Sequence, residues 1–168
     1  MQKSTTKTLA LMGMFIGLSA IGAAIKLPSP TGTVAFDSAP GFAAALILGP
    51  GYGALAAALG HLFTSLFSGF PMTIPLHLLV AVQMSVAAGV YGLLKQKSFV
   101  IAIIAAVLIN GIGAPACFIL IPGFGMGFFL GMVVPLLVAS LANVLVSALI
   151  YKYVASSSQS RLSKIDSN

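Results

Sequence analysis

Apolar runs separated by short polar or Gly/Pro-rich breaks recur along the whole chain. A helix needs about 20 such residues to cross a bilayer core. The pattern predicts six helices, at about Thr8 to Ile25, Ala35 to Leu48, Tyr52 to Phe67, Ile74 to Leu94, Phe99 to Leu120 and Gly125 to Tyr153. The second is short for a span and is expected to start tilted or partly sunk. Pro115 should kink the fifth helix and Pro135 the sixth, because proline removes one backbone donor and crowds the preceding turn. The fold class that follows is all-α: one transmembrane domain of six helices over residues 1–168, with 154–168 as a polar tail.

Composition agrees. The 168 residues are 59% hydrophobic and 6% charged, against about 25% charged in soluble domains. The net charge of +6 does not mark a nucleic-acid binder, because the basic residues lie between apolar spans rather than in one patch. With six spans both termini share a side. Placed in the cytoplasm, they leave Lys3, Lys7, Lys95, Lys97, Lys152, Arg161 and Lys164 inside and only Lys26 outside, as the positive-inside rule requires. The N-terminus imitates a secretory signal, but the run from Thr8 to Ile25 is long enough for a complete span. Cys117 has no second cysteine to pair with.

The aromatic residues divide by depth. Tyr52, Tyr91, Tyr151 and Tyr153 fall at the cytoplasmic interface, where amphipathic rings settle. Phe36, Phe42, Phe63, Phe67, Phe70, Phe118, Phe124, Phe128 and Phe129 fall in the outer half, so an outward cup of aromatic rings is expected, suited to a flat, partly apolar ligand.

On the first helix Ala10, Gly13, Gly17, Ala20 and Ala24 repeat at 3-4-3-4 spacing, a stripe along which another helix can come close. The third helix carries a similar row at Gly53, Ala57, Gly60 and Thr64. We expect that row to pack internally and the first to face an external partner.

Few polar residues interrupt the spans: Asp37, Ser38, His61, His77, Gln83, Asn110 and Asn143. A charge at membrane depth costs about 2.5–3.5 kcal/mol on insertion scales, so Asp37 should face a cavity or a partner. Its rival role is in starting the second helix with Ser38 and Pro40, where Asp37 or Ser38 would be the cap. Asp37 and Asn110 both stand beside Gly/Pro loops at outward helix ends and are the stronger binding candidates, with Gln83 and His77 as alternatives to plain interhelical hydrogen bonds. His77 and Gln83 are six residues apart, about 120° around a helix, so both cannot point squarely into one site. His61 could carry a proton, though no chain of buried acids accompanies it in sequence. Asn143 reads as glue between helices.

Several chemistries are missing from the sequence. Gly49-Pro50-Gly51-Tyr52-Gly53 lacks the Gly-Lys-Ser/Thr ending of a phosphate loop. No HExxH, paired carboxylates or serine triad occurs, and two histidines sixteen apart are weak evidence for a metal. The expectation is a protein that is not an enzyme and holds no cofactor.

The chain resembles the substrate-binding S components of energy-coupling factor (ECF) vitamin transporters over nearly its whole length. The resemblance rests on Leu27-Pro28-Ser29-Pro30 with Gly32, Phe36-Asp37-Ser38-Ala39-Pro40, Leu48-Gly49-Pro50-Gly51-Tyr52-Gly53-Ala54 with Gly60-His61, and Gly69-Phe70-Pro71 with Pro75-Leu76-His77. Several of these elements look like the subgroup associated with α-ribazole, the nucleoside of the cobamide lower ligand. The resemblance implies a plasma-membrane subunit that binds a micronutrient from outside. It implies docking through the first helix onto a transmembrane scaffold driven by two ATP-hydrolysing subunits. Family docking stripes are alanine-rich, whereas this one contains Gly13 and Gly17. On this reading a benzimidazole would stack among Phe36, Phe70 and Phe118, with Asp37, Gln83 and Asn110 on ribose hydroxyls and His61 and His77 nearby. The alternatives from the residues alone are a self-sufficient proton-coupled carrier using His61 or Asp37, and a structural membrane subunit.

Overall fold

The computed structural model describes residues 5–32 and 34–166. Lys3 and the side chains of Arg161 and Lys164 lie outside the described residues. The architecture is all-helical, with α1 (Thr5–Gly22), α2 (Ala39–Ile47), α3 (Pro50–Phe67), α4 (Ile74–Leu94), α5 (Phe99–Leu120) and α6 (Gly125–Asp166). Among the described residues α4, α5 and the Gly125–Ser157 part of α6 are long and apolar enough to cross a membrane.

Several limits differ from those set by hydropathy. The second helix begins at Ala39 rather than Ala35. Residues 35–38 instead join a hairpin-like loop from α1, held by an isolated Lys26–Ala35 bridge and by Leu27 N–H to Val34 O and Phe36 N–H to Ile25 O. What remains is nine residues, about 14 Å of helix at 1.5 Å per residue, less than half of a ~30 Å core. The third helix starts two residues early, on Pro50, whose fixed φ suits a first helical turn. The last helix runs on to Asp166, past the expected end at Tyr153. No Gly or Pro follows Tyr153 to stop it.

Short as it is, α2 forms the centre. Residues Ala39 to Leu46 are all buried, packed by α1, α3, α4 and α6. The close approach of α3 depends on missing side chains: a Cβ on Gly53 would overlap Ala45, and one on Gly41 would lie 2.7 Å from the Ala57 Cβ. At the other end of α3 a Cβ on Gly60 would lie 2.6 Å from Ser19 Oγ on α1. The Gly53, Ala57, Gly60 and Thr64 row is therefore internal.

The α1 stripe faces the other way. Met12, Phe15 and Ser19 turn inward, while Ala10, Gly13, Gly17 and Ala24 are exposed, Ala20 is half-buried, and a Cβ on Gly13 or Gly17 would meet nothing within 4 Å.

Two aromatic placements are corrected. Tyr91 is not an interfacial ring: it is completely buried, with its hydroxyl 3.3 Å from Ser147 Oγ. Phe42 belongs to the same core, edge-on to Tyr91 at 5.5 Å, and not to an outer cup. Lys95, at the end of α4, reaches back to donate to Leu46 O at 3.0 Å while sitting over the Tyr151 ring. A cation thereby meets a free carbonyl at the C-terminal end of α2, where the helix dipole favours it.

Candidate functional site

One cavity gathers most of the polar residues that the spans contain. Its walls come from the 34–38 loop, α3, α4, α5 and α6, and its enclosed volume is about 80 Å³. Asp37, His61, Gln83, Asn110 and Phe118 of the expected site all line it. Phe36, Phe70 and His77 do not. Phe36 is carried away with the extended loop, and Phe70 packs edge-on to His77 at 5.6 Å.

Local backbone irregularity explains how these side chains are presented. Pro115 lacks an N–H and its ring crowds the carbonyl four residues back. The chain answers by widening into a π turn over Ile109–Gly113, followed by a 3-10 turn over Cys117–Leu120. Such π turns in helices often mark functional sites. Here the turn carries Asn110, which is buried and donates from Nδ2 to Ser140 Oγ on α6 at 2.8 Å. The backbone after the turn offers the Ala114 carbonyl, which accepts from Gln83 Nε2 at 3.2 Å. Gln83 Oε1 is buried and has no partner.

The α3–α4 loop is held in an unusual shape. Phe70 and Thr73 have φ of +50° and +89°, a region that bulky and β-branched residues avoid. This fold-back sets Met72 against the cavity and its N–H 3.5 Å from His77 Nε2.

Behind the cavity wall the two histidines meet. Separated by sixteen residues, their rings lie 5.5 Å apart, with His77 Nδ1 3.3 Å from His61 Nε2. Ser65 Oγ lies 2.9 Å from His77 Nδ1 and donates to His61 O at 2.8 Å. The partners fix the tautomers. His77 Nε2 accepts from Met72 N–H, so Nδ1 carries its proton toward Ser65 Oγ and His61 Nε2, and His61 then presents Nδ1–H toward Asp37 Oδ2 at 3.9 Å. A single carboxylate thus stands at the end of the histidine pair, and no chain of acids continues from it among the described residues. Ser65 was missed in the sequence; its place four residues after His61 on α3 was the available signal. Among the described residues no three metal-ligating side chains converge.

The lining is also aromatic. Phe118, Phe124 and Phe128 form a mutual cluster with centroids 4.8–5.3 Å apart, and Phe118 and Phe128 line the cavity. Phe63 and Phe67 instead point outward, 46% and 75% exposed. A chamber lined by both aromatic rings and by amides and a carboxylate suits an amphipathic small molecule.

Residues 7–157 match the family described as the substrate-specific component of ECF transporters. The chain belongs to that family. It is a substrate-specific subunit of an ECF transporter, a membrane protein that works with an ECF module on a small-molecule substrate. A solved structure described as the S component of a bacterial ECF transporter shares its fold, with a TM-score of 0.67 and 22% identity over 91% of this chain and 98% of that one. No curated protein matches the sequence.

Proposed function

We propose that this S component captures a vitamin- or nucleoside-like micronutrient from outside the plasma membrane, with α-ribazole as its ligand. In this reading the chain crosses the bilayer six times with both termini in the cytoplasm, and the cavity opens outward. A nucleoside's flat base would lie against Phe118 and Phe128, and its sugar hydroxyls would meet Asp37, Gln83 and Asn110. The observation that supports the reading is the mixed lining, aromatic rings together with amides, a carboxylate and the unpartnered Gln83 Oε1, in a family that binds small molecules. At about 80 Å³ the chamber is smaller than the ~300 Å³ or more of typical ligand pockets, so the aromatic cluster or the 34–38 loop must move to admit a nucleoside.

The exposed Ala10, Gly13 and Gly17 face of α1, continued by half-buried Ala20 and by Ala24 just past the helix end, is where we dock the transmembrane scaffold, itself driven by two ATP-hydrolysing subunits. Small residues there allow a partner helix close backbone contact. The chain performs no chemistry of its own in this scheme. Titration of α-ribazole into wild-type, Asp37→Ala and Asn110→Ala proteins tests the assignment. Weaker binding in both variants is expected; unchanged affinity in both rejects it.

A second reading has a specific observation behind it. The Asp37–His61–His77 alignment could pass a proton, as a proton-coupled carrier requires. It ends, however, on the Met72 backbone amide rather than on a further titratable group, and so offers no exit.

A further inference from the structure

The hydrogen-bonding groups that line the cavity are unequally spent. Gln83 commits its Nε2 to a backbone carbonyl, which can only accept, so its amide orientation is fixed and Oε1 is the atom left over. Asn143 is used at every position: Nδ2 donates to Ala35 O and Ala139 O, and Oδ1 accepts from Ala39 N–H. Asn110 spends Nδ2 on Ser140. Ser38 donates its hydroxyl to Asp37 Oδ1 at 3.2 Å. Ser38 and Asn143 thus spend their donors within the protein, Gln83 and Asn110 each keep one amide N–H, and Gln83 Oε1 is the buried lining atom that has no partner. The lining contains no Lys or Arg. Lys26, on the loop above, is exposed, and His61 turns its Nδ1 toward Asp37.

We infer that this cavity selects a neutral or cationic ligand that donates hydrogen bonds, read chiefly by Gln83 Oε1 and Asp37, and that it rejects phosphorylated or carboxylate-bearing compounds. This rests on the proposed binding role of the cavity and narrows its substrate class. A buried acceptor without a donor costs free energy, and a ligand O–H or N–H removes that cost. An anionic group would meet acceptors and a carboxylate with no cation to offset its desolvation. Unphosphorylated nucleosides and amine- or hydroxyl-bearing heterocycles fit this rule; their 5′-phosphates do not.

The test is mass spectrometry of the compound released on denaturing protein purified in mild detergent from cells grown in rich medium. A neutral or cationic compound with O–H or N–H donors, enriched over an unrelated membrane protein, is the expected result. Gln83→Met should retain about two- to tenfold less of it, the loss of one hydrogen bond, while gel filtration and thermal melting show the variant still folded. Equal retention by folded Gln83→Met removes Gln83 as the reader. An enriched phosphate or carboxylate overturns the inference and leaves the binding role standing. No enriched compound at all overturns the binding role and the inference with it.

Discussion

Asn143 Oδ1 accepts the backbone N–H of Ala39 at 2.9 Å, across 104 residues of sequence. Ser38, at the cap position of α2, makes no capping bond, so a side chain of α6 does that work. The same amide ties down the carbonyl of Ala35. One residue thus fixes both the start of the central helix and the loop that presents Asp37 to the cavity.

Replacing it should be costly. Asn143→Leu strands the Ala39 N–H and the Ala35 carbonyl, and a loss of about 1–3 kcal/mol is expected. Thermal melting in detergent should fall accordingly. Asn143→Asp keeps the cap to Ala39 but not the donors, and should melt between the two.

The two small-residue stripes should separate by phenotype. Gly60→Val drives a side chain into Ser19, and overpacking of this kind costs about 1–3 kcal/mol. Gly17→Leu points into open space. It should leave melting and ligand binding unchanged while lowering uptake when the ECF module is co-expressed. Unchanged uptake would remove this face as the docking surface.

The aromatic wall gives a paired test. Phe118→Ala should weaken binding about tenfold or more, since stacking of a base on a ring is worth about 1–3 kcal/mol. Phe36→Ala, outside the cavity, should bind within about twofold of wild type. Titration of α-ribazole measures both.

The histidine pair discriminates between energy sources. His77→Phe interrupts the line from Asp37 to Met72 without touching the cavity lining. A subunit energised by ATP should keep most of its uptake in this variant and in the presence of a protonophore, provided cellular ATP is maintained. A proton-driven carrier should lose both.

Much of this molecule could be read from the chain because membrane helices declare themselves through long apolar runs. The kink expected at Pro115 appears as the π turn that carries Asn110. Spacing showed a small-residue stripe on both α1 and α3, but only the packing shows that the α3 row faces inward and the α1 row outward. What escaped the sequence depended on tertiary contact. Nothing local shows that residues 35–38 leave the helix to pair with the end of α1, which takes Phe36 out of the site. Nothing local shows that His61 and His77 meet, because that depends on a loop with Phe70 and Thr73 at positive φ. Asn143 does join helices, but it holds the first residue of α2 and the loop before it, a stretch that hydropathy assigns wholly to the helix.

The most direct test compares what cells accumulate, by untargeted mass spectrometry, when they carry this chain alone, with an intact ECF module, or with a module whose ATPases are inactivated. A micronutrient that accumulates only with the intact module is the expected result. Accumulation by the chain alone, abolished by a protonophore, would contradict the account.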